Sequence, residues 1–256
     1  MDFFSIKETV ENLGNVSRKK SELDFVRLCL LGVMAGAFIA LGFLAYLRVA
    51  GNMPSEWGSF AALLGACLFP IGLIGITFVG GELATGNMMV MALGVMQKKI
   101  TSKNMIYNWI IVLITNCIGG ILVAYLFGHM TGLSEGVYLE KTIAIAQGKL
   151  NDPLLAAFVS GIGCNIFVCM GVYLGATAKT YLGKMFGLWF PVMVFVICGF
   201  QHVVANAFII PAAIFTGEST ILWSQYLVNV VVVFLGNVVG GALFFAVPLM
   251  FVTSKK

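Results

Sequence analysis

The chain has 256 residues, of which 60% are apolar and only 10% charged, and its formal net charge is +4. Soluble globular domains carry about 25% charged residues, so the composition excludes one and indicates an integral protein of the lipid bilayer. The six cysteines, Cys29, Cys67, Cys117, Cys164, Cys169 and Cys198, show no paired spacing. They suggest neither metal site nor disulfide framework and read as small buried hydrophobes. Two histidines, His129 and His202, are too few for a membrane cytochrome with several haems.

Met1 to Asp24 is mixed and charged, without the apolar core of a cleavable signal, so the first span is expected to direct insertion itself. Phe3, Ile6, Val10 and Leu13 recur at three- and four-residue intervals and predict a short amphipathic helix. It either lies on the cytoplasmic membrane surface or packs on the protein. Ser21-x-x-Asp24 resembles a capping box opening the first span. Apolar runs of about 20 residues, the length that crosses a bilayer, follow at Phe25 to Tyr46, Phe60 to Val79, Asn108 to Phe127, Leu154 to Leu174 and Leu222 to Val247. A sixth, Met185 to Phe215, is interrupted near its middle. Gly32 and Gly36 on the first span, and Gly236 and Gly240 on the last, have the spacing that lets helices approach closely.

The stretch Gly80-Gly81-Glu82-Leu83-Ala84-Thr85-Gly86-Asn87 is a polar, glycine-rich break between apolar runs. Phe60 to Met96 is too long for one ordinary span and lacks a charged hairpin that would make it two, so a broken helix is expected, with Pro70 ahead of the break. The second half repeats the device at Gly199-Phe200-Gln201-His202-Val203-Val204-Ala205-Asn206, between Pro191 and Pro211. In both, an acid or its amide stands five residues before an asparagine, and both are followed by Asn-x7-Asn-x2-Gly-Gly: Asn108, Asn116, Gly119, Gly120 and Asn229, Asn237, Gly240, Gly241. Each copy holds three spans, so the second must be inserted upside down. Irregular backbone at membrane depth is tolerated only in protein or beside a water-filled cavity, which predicts that the breaks face one another across a pathway. Asn87 and Asn206 are expected as N-caps of the half-helices that follow.

With six spans and the N-terminus inside, Lys7, Arg18, Lys19, Lys20, Arg27, Lys98, Lys99, Lys103, Lys179, Lys184, Lys255 and Lys256 fall on one side, and only Arg48, Lys141 and Lys149 on the other. Cytoplasmic loops are the basic ones, so both termini are expected in the cytoplasm. The positive charge then reflects topology and gives no nucleic-acid surface. The organisation expected is a cytoplasmic helix and linker over 1–24, a transmembrane channel domain over 25–252 with inverted repeats about 25–128 and 153–252, and a tail over 253–256. Asp152-Pro153 is expected as N-cap and first residue of the fourth span.

These residues resemble the formate/nitrite transporter family. The break at Gly80 to Asn87 is similar to its first signature, Gly163-Cys164-Asn165-Ile166-Phe167-Val168-Cys169 to its second, and Cys198 to Asn206 to the segment carrying its central histidine. The resemblance implies an all-α, aquaporin-like fold, six transmembrane helices as two inverted three-helix repeats with broken second and fifth helices, and a homopentamer with a pore in each protomer. It implies that His202 is the central pore histidine, Thr85 the polar residue opposite it, Asn165 a nearby hydrogen-bonding partner, Leu83 and Phe195 apolar constrictions, and Lys149 an attractor of anions. Gly81, Glu82, Ala84, Gly86, Asn87, Gln201 and Asn206 then form the broken-helix loops. Gln201 and Ala84 depart from the usual Glu and Phe, and the chain is most similar to the hydrosulfide channels.

A bare anion in an apolar constriction faces a dehydration cost on the order of tens of kcal/mol in the idealised limit. Helix N-termini at the breaks offset part of it, and a neutral His202 adds a hydrogen bond. The expectation is a passive channel of the prokaryotic cytoplasmic membrane for hydrosulfide first, with formate and nitrite behind it. The alternative is proton-coupled formate or nitrite transport with His202 as proton donor. No enzyme activity, cofactor or metal is expected, since His, Cys and carboxylate ligands do not cluster.

Overall fold

The computed structural model describes residues 2–254, and among these it is helical throughout, with one isolated antiparallel bridge between Phe3 and Ala178. Lys255 and Lys256 of the charge count lie outside the described residues. Helix α1 (Ile6–Ser21) starts at a capping box in which the Ser5 hydroxyl accepts the Glu8 N–H and Glu8 Oε2 accepts the Ser5 N–H at 2.8 Å. Val10 and Leu13 are buried but Phe3 and Ile6 are 56% and 51% exposed, so the four do not share one buried face. The helix packs on the protein, where Gln97 Nε2 donates to the Val10 carbonyl at 2.8 Å. The expected Ser21/Asp24 box does not form. Ser21 ends α1 with its hydroxyl on the Arg18 carbonyl, and Asp24 alone caps α2 (Phe25–Ala50) by accepting the Arg27 N–H at 3.0 Å.

The run Ser59–Val79 divides into α3 (Ser59–Leu68) and α4 (Ile71–Val79), because Pro70 has no N–H to continue the ladder. Gly80, at φ +94°, ends α4 in the left-handed region, where a Cβ is penalised. Three residues, Gly81, Glu82 and Leu83, separate Gly80 from α5 (Ala84–Met96). Helix α6 (Ser102–Val123) passes into a π-helical turn over Ala124–Met130, and α7 (Leu139–Asn151) precedes α8 (Leu154–Thr177). Asp152 closes α7 in the extended conformation that the residue before a proline takes, and Pro153, at ψ 143°, is itself outside α8, which begins one residue later than expected. Helix α9 (Tyr181–Ile197) carries Pro191, and a second break separates it from α10 (Val203–Phe215). Helix α11 (Trp223–Val238) runs through a π-helical segment, Val239–Ala246, into α12 (Val247–Thr253).

Five of these stretches are long and apolar enough to cross a membrane: Phe25–Ala50, Ser59–Val79, Ser102–Met130, Leu154–Thr177 and Trp223–Thr253. The shorter α5, α9 and α10 are apolar as well. Helix α2 lies against α6 and α8 against α11 through glycines: a Cβ on Gly36 would strike the Asn116 carbonyl, and one on Gly236 the Phe158 carbonyl. Cysteine burial is narrower than expected. Cys164 and Cys169 are buried, Cys29, Cys67 and Cys117 are intermediate, and Cys198, at the end of α9, is exposed.

Candidate functional site

The breaks are held by two sets of asparagines with matching bonds. Asn116 of α6 takes the Ala84 N–H on Oδ1 at 2.9 Å and donates to the Gly32 and Glu82 carbonyls at 2.7 and 2.9 Å. Asn237 of α11 takes the Val203 N–H at 3.1 Å and donates to the Gly161 and Gln201 carbonyls at 2.7 and 3.1 Å. Asn87 Nδ2 donates to Glu82 Oε2 at 2.7 Å and Asn108 Oδ1 at 2.9 Å, and Asn206 Nδ2 to Gln201 Oε1 and Asn229 Oδ1 at the same two distances. Asn87 and Asn206 are therefore not N-caps. They occupy the fourth position of α5 and α10, whose caps are Leu83 and His202, and the first free N–H of each helix is satisfied from across the bundle. These bonds pair several of the donors and acceptors that irregular backbone would otherwise bury unsatisfied.

His202 caps α10 with its ring. Nδ1 accepts the Ala205 N–H at 3.0 Å, and Nε2 lies 3.0 Å from Thr85 Oγ1 on α5. A ring nitrogen that accepts a backbone N–H carries no proton, so the hydrogen-bond pattern assigns a neutral imidazole with its proton on Nε2, donated to Thr85. Phe195 stacks on the ring at 5.5 Å between centroids and 19° between planes, with Phe69 edge-on behind it.

Three cavities follow one another past this ring. On the α7 side, one of about 80 Å³ is lined by Tyr46, Lys149, Phe195, Phe200, His202 and Asn206 among others. At the centre, a void of about 10 Å³ is enclosed by Ile39, Phe69, Leu73, Leu83, Val168, Val192, Phe195 and His202. On the α1 side, about 310 Å³ opens between Lys20, Thr77, Gly81, Leu83, Asn87 and Lys184. A water needs roughly 10–15 Å³, so the central void is at the limit for a single molecule, and among the described residues His202 is the only polar side chain on its wall.

Charges flank the narrow point. Lys149 Nζ donates to the Gly199 and Phe200 carbonyls at 2.7 and 2.9 Å, and burial lowers its pKa below the usual 10.5. Gln201 faces away from the ammonium: its amide donates to the Lys149 carbonyl at 2.9 Å and to Asp152 Oδ2 at 2.8 Å. On the other side Lys20 Nζ meets Glu82 Oε1 at 2.6 Å, with the Glu82 side chain 4% exposed.

Of the residues singled out in the sequence, His202, Leu83, Phe195, Lys149, Gly81, Gly86, Asn87 and Asn206 line the cavities. Thr85, Ala84, Glu82 and Gln201 stand behind that wall. Asn165 also lies behind it and donates to the carbonyls of Thr85 at 3.2 Å and Asn237 at 2.7 Å, tying α8 to α5 and α11. Sequence reasoning missed the aromatic wall of Phe43, Tyr46 and Phe69, and missed Lys20 as the partner of Glu82 across 61 intervening residues. Its only signal was the basic end of α1.

These apolar spans, interrupted beside a row of cavities, define a multi-pass membrane protein of the transport class. The chain belongs to the formate/nitrite transporter family, whose sequence profile matches residues 7–251. It is 49% identical over 257 residues to "Uncharacterized transporter YrhG" of Bacillus subtilis (strain 168), covering 100% of this chain and 96% of that one. It is 44% identical over 242 residues to "Formate channel BtFdhC" of Bacillus thuringiensis, covering 94% and 93%. Among solved structures it is similar to "Pentameric formate channel with formate bound", at 29% identity and a TM-score of 0.77, covering 89% of this chain and 97% of that one.

Proposed function

We propose that the protein is a homopentameric channel for small monovalent anions, with formate as principal substrate and a separate pathway through each protomer. The observation that carries this is the row of three cavities narrowing to about 10 Å³ at a neutral imidazole. Hydrosulfide was first on sequence grounds. The named relative at 44% identity is a formate channel, which moves formate ahead, and hydrosulfide and nitrite become arms of the same assay. The matched asparagine bonds of the two breaks support six spans arranged as inverted three-helix repeats, the second and fifth interrupted. The single domain over 25–252, a prokaryotic cytoplasmic membrane location and both termini in the cytoplasm complete the reading. The α1 side is then the inner mouth.

An anion entering from the α7 side passes Lys149, sheds water between Phe69 and Phe195, and meets the edge of the His202 ring. Exchanging the Nε2–H bond to Thr85 for one to the anion preserves the hydrogen bond while the anion is least hydrated. Charge-assisted bonds of this kind are roughly twice as strong as neutral ones. Full proton donation from Nε2 would leave an imidazolate unless Nδ1 first gained a proton, and Nδ1 is committed to the Ala205 amide. This bond favours the channel over the proton-coupled alternative.

The test is uptake into liposomes carrying the purified protein. Formate, hydrosulfide and nitrite should enter faster than into empty vesicles, formate fastest, and sulfate should be excluded. Vesicles as tight to formate as empty ones would refute the proposal.

A further inference from the structure

We infer that Lys184, rather than Lys20, is the cation that draws substrate anions into the α1-side mouth. This rests on the anion-channel reading above. Two ammonium groups line the 310 Å³ cavity, Lys20 from the last turn of α1 and Lys184 from the first turn of α9. Lys20 is consumed locally. Its Nζ is 2.6 Å from Glu82 Oε1, and the other Glu82 oxygen is held by Asn87. That buried pair presents no net charge to an approaching ion. Among the described residues Lys184 has no carboxylate within 4.0 Å and its ammonium makes no hydrogen bond. It is half-buried, on the wall facing Thr77 and Gly81.

The opposite mouth reaches the same result by a different route. There Gln201 stands where the first break has Glu82, so Lys149 is bonded to two carbonyls and to no acid. Each mouth thus holds one ammonium with no carboxylate bonded to it among the described residues, although Asp152 lies near enough to Lys149 to act on it through space. The two are not equivalent by the internal repeat, because the acid at Glu82 cancels Lys20 and the position is refilled from α9. A fixed charge in a cleft with low-dielectric walls concentrates counter-ions. The concentration acts on ions arriving at that mouth and weakens as salt shortens the screening length.

The experiment is formate current through oriented channels in a planar bilayer, measured in each direction at low and high ionic strength. Lys184→Gln should lower the current carried by formate entering from the α1 side by about three- to tenfold at low salt, with entry from the α7 side nearly unchanged. The deficit should fade towards about 1 M salt. Lys7→Gln, which removes an exposed charge from α1, should change neither direction. Should Lys184→Gln fail to assemble, Lys184→Cys treated with a cationic or an anionic methanethiosulfonate changes the charge within folded protein, wild type serving as control for the native cysteines. The cationic reagent should restore entry and the anionic one deepen the loss. Wild-type current from Lys184→Gln at low salt, or a deficit equal at all salt concentrations, overturns the inference and leaves the channel standing. A wild-type protein that passes no formate overturns both.

Discussion

His202 and Thr85 stand on opposite half-helices with Nε2 and Oγ1 3.0 Å apart, and the other ring nitrogen is fastened to the Ala205 amide. The ring therefore has one hydrogen to offer, which Thr85 accepts in this structure and which, in the proposed mechanism, is offered to an anion instead. Thr85→Val removes the acceptor and leaves a buried N–H without a partner, at a cost of about 1–3 kcal/mol, whereas Thr85→Ser keeps the oxygen. Formate flux in proteoliposomes should fall about tenfold or more in the valine variant and stay near wild type in the serine variant. Equal flux in both would remove Thr85 from the mechanism.

Asn116 and Asn237 each close two backbone groups at a break and bond one carbonyl of a neighbouring helix, Gly32 of α2 and Gly161 of α8. Truncation to alanine removes the partner of the two buried groups at the break, each at about 1–3 kcal/mol. Asn116→Ala and Asn237→Ala should each destabilise the protein by about 3 kcal/mol or more and lower the detergent-solubilised melting temperature by similar amounts. A large loss from one and none from the other would contradict their equivalence.

Lys20 and Glu82 form a pair whose side chains are 17% and 4% exposed. Removing one partner from such a pair costs about 3–5 kcal/mol, but replacing both by neutral side chains of similar size is often tolerated. Lys20→Met and Glu82→Gln should each destabilise, and the double variant should be more stable than the sum of the two predicts. Additive losses would mean that the pair contributes little.

Phe195 closes the central void against Phe69 and the His202 ring. Phe195→Ala should widen it, so that permeability to chloride rises relative to formate while total anion flux increases. An unchanged chloride-to-formate ratio, read from bi-ionic reversal potentials, would place the selective barrier elsewhere.

Much of this arrangement was legible in the chain. Asn-x7-Asn-x2-Gly-Gly appears twice, and both copies occupy equivalent bonds because a break leaves the same backbone groups to satisfy. The capping role was misread at Asn87 and Asn206 for the same reason. Local capping rules consider neighbours in sequence, whereas the Ala84 and Val203 amides are met by residues 32 and 34 positions away. Lys20 with Glu82, and the aromatic wall around Phe69, depend on which helices become neighbours, and periodicity does not encode that. The difference between Glu82 and Gln201 was visible from the start. Its meaning for Lys184 needed the cavity.

The most direct test of a neutral His202 that keeps its proton is the reversal potential of the purified channel under a formate gradient, first at equal pH and then with a tenfold difference in proton concentration across the bilayer. A channel of this kind should reverse at the formate equilibrium potential, about 59 mV per tenfold gradient for one charge, and ignore the pH difference. Formate movement without current, or a flux driven by the proton gradient, would contradict it.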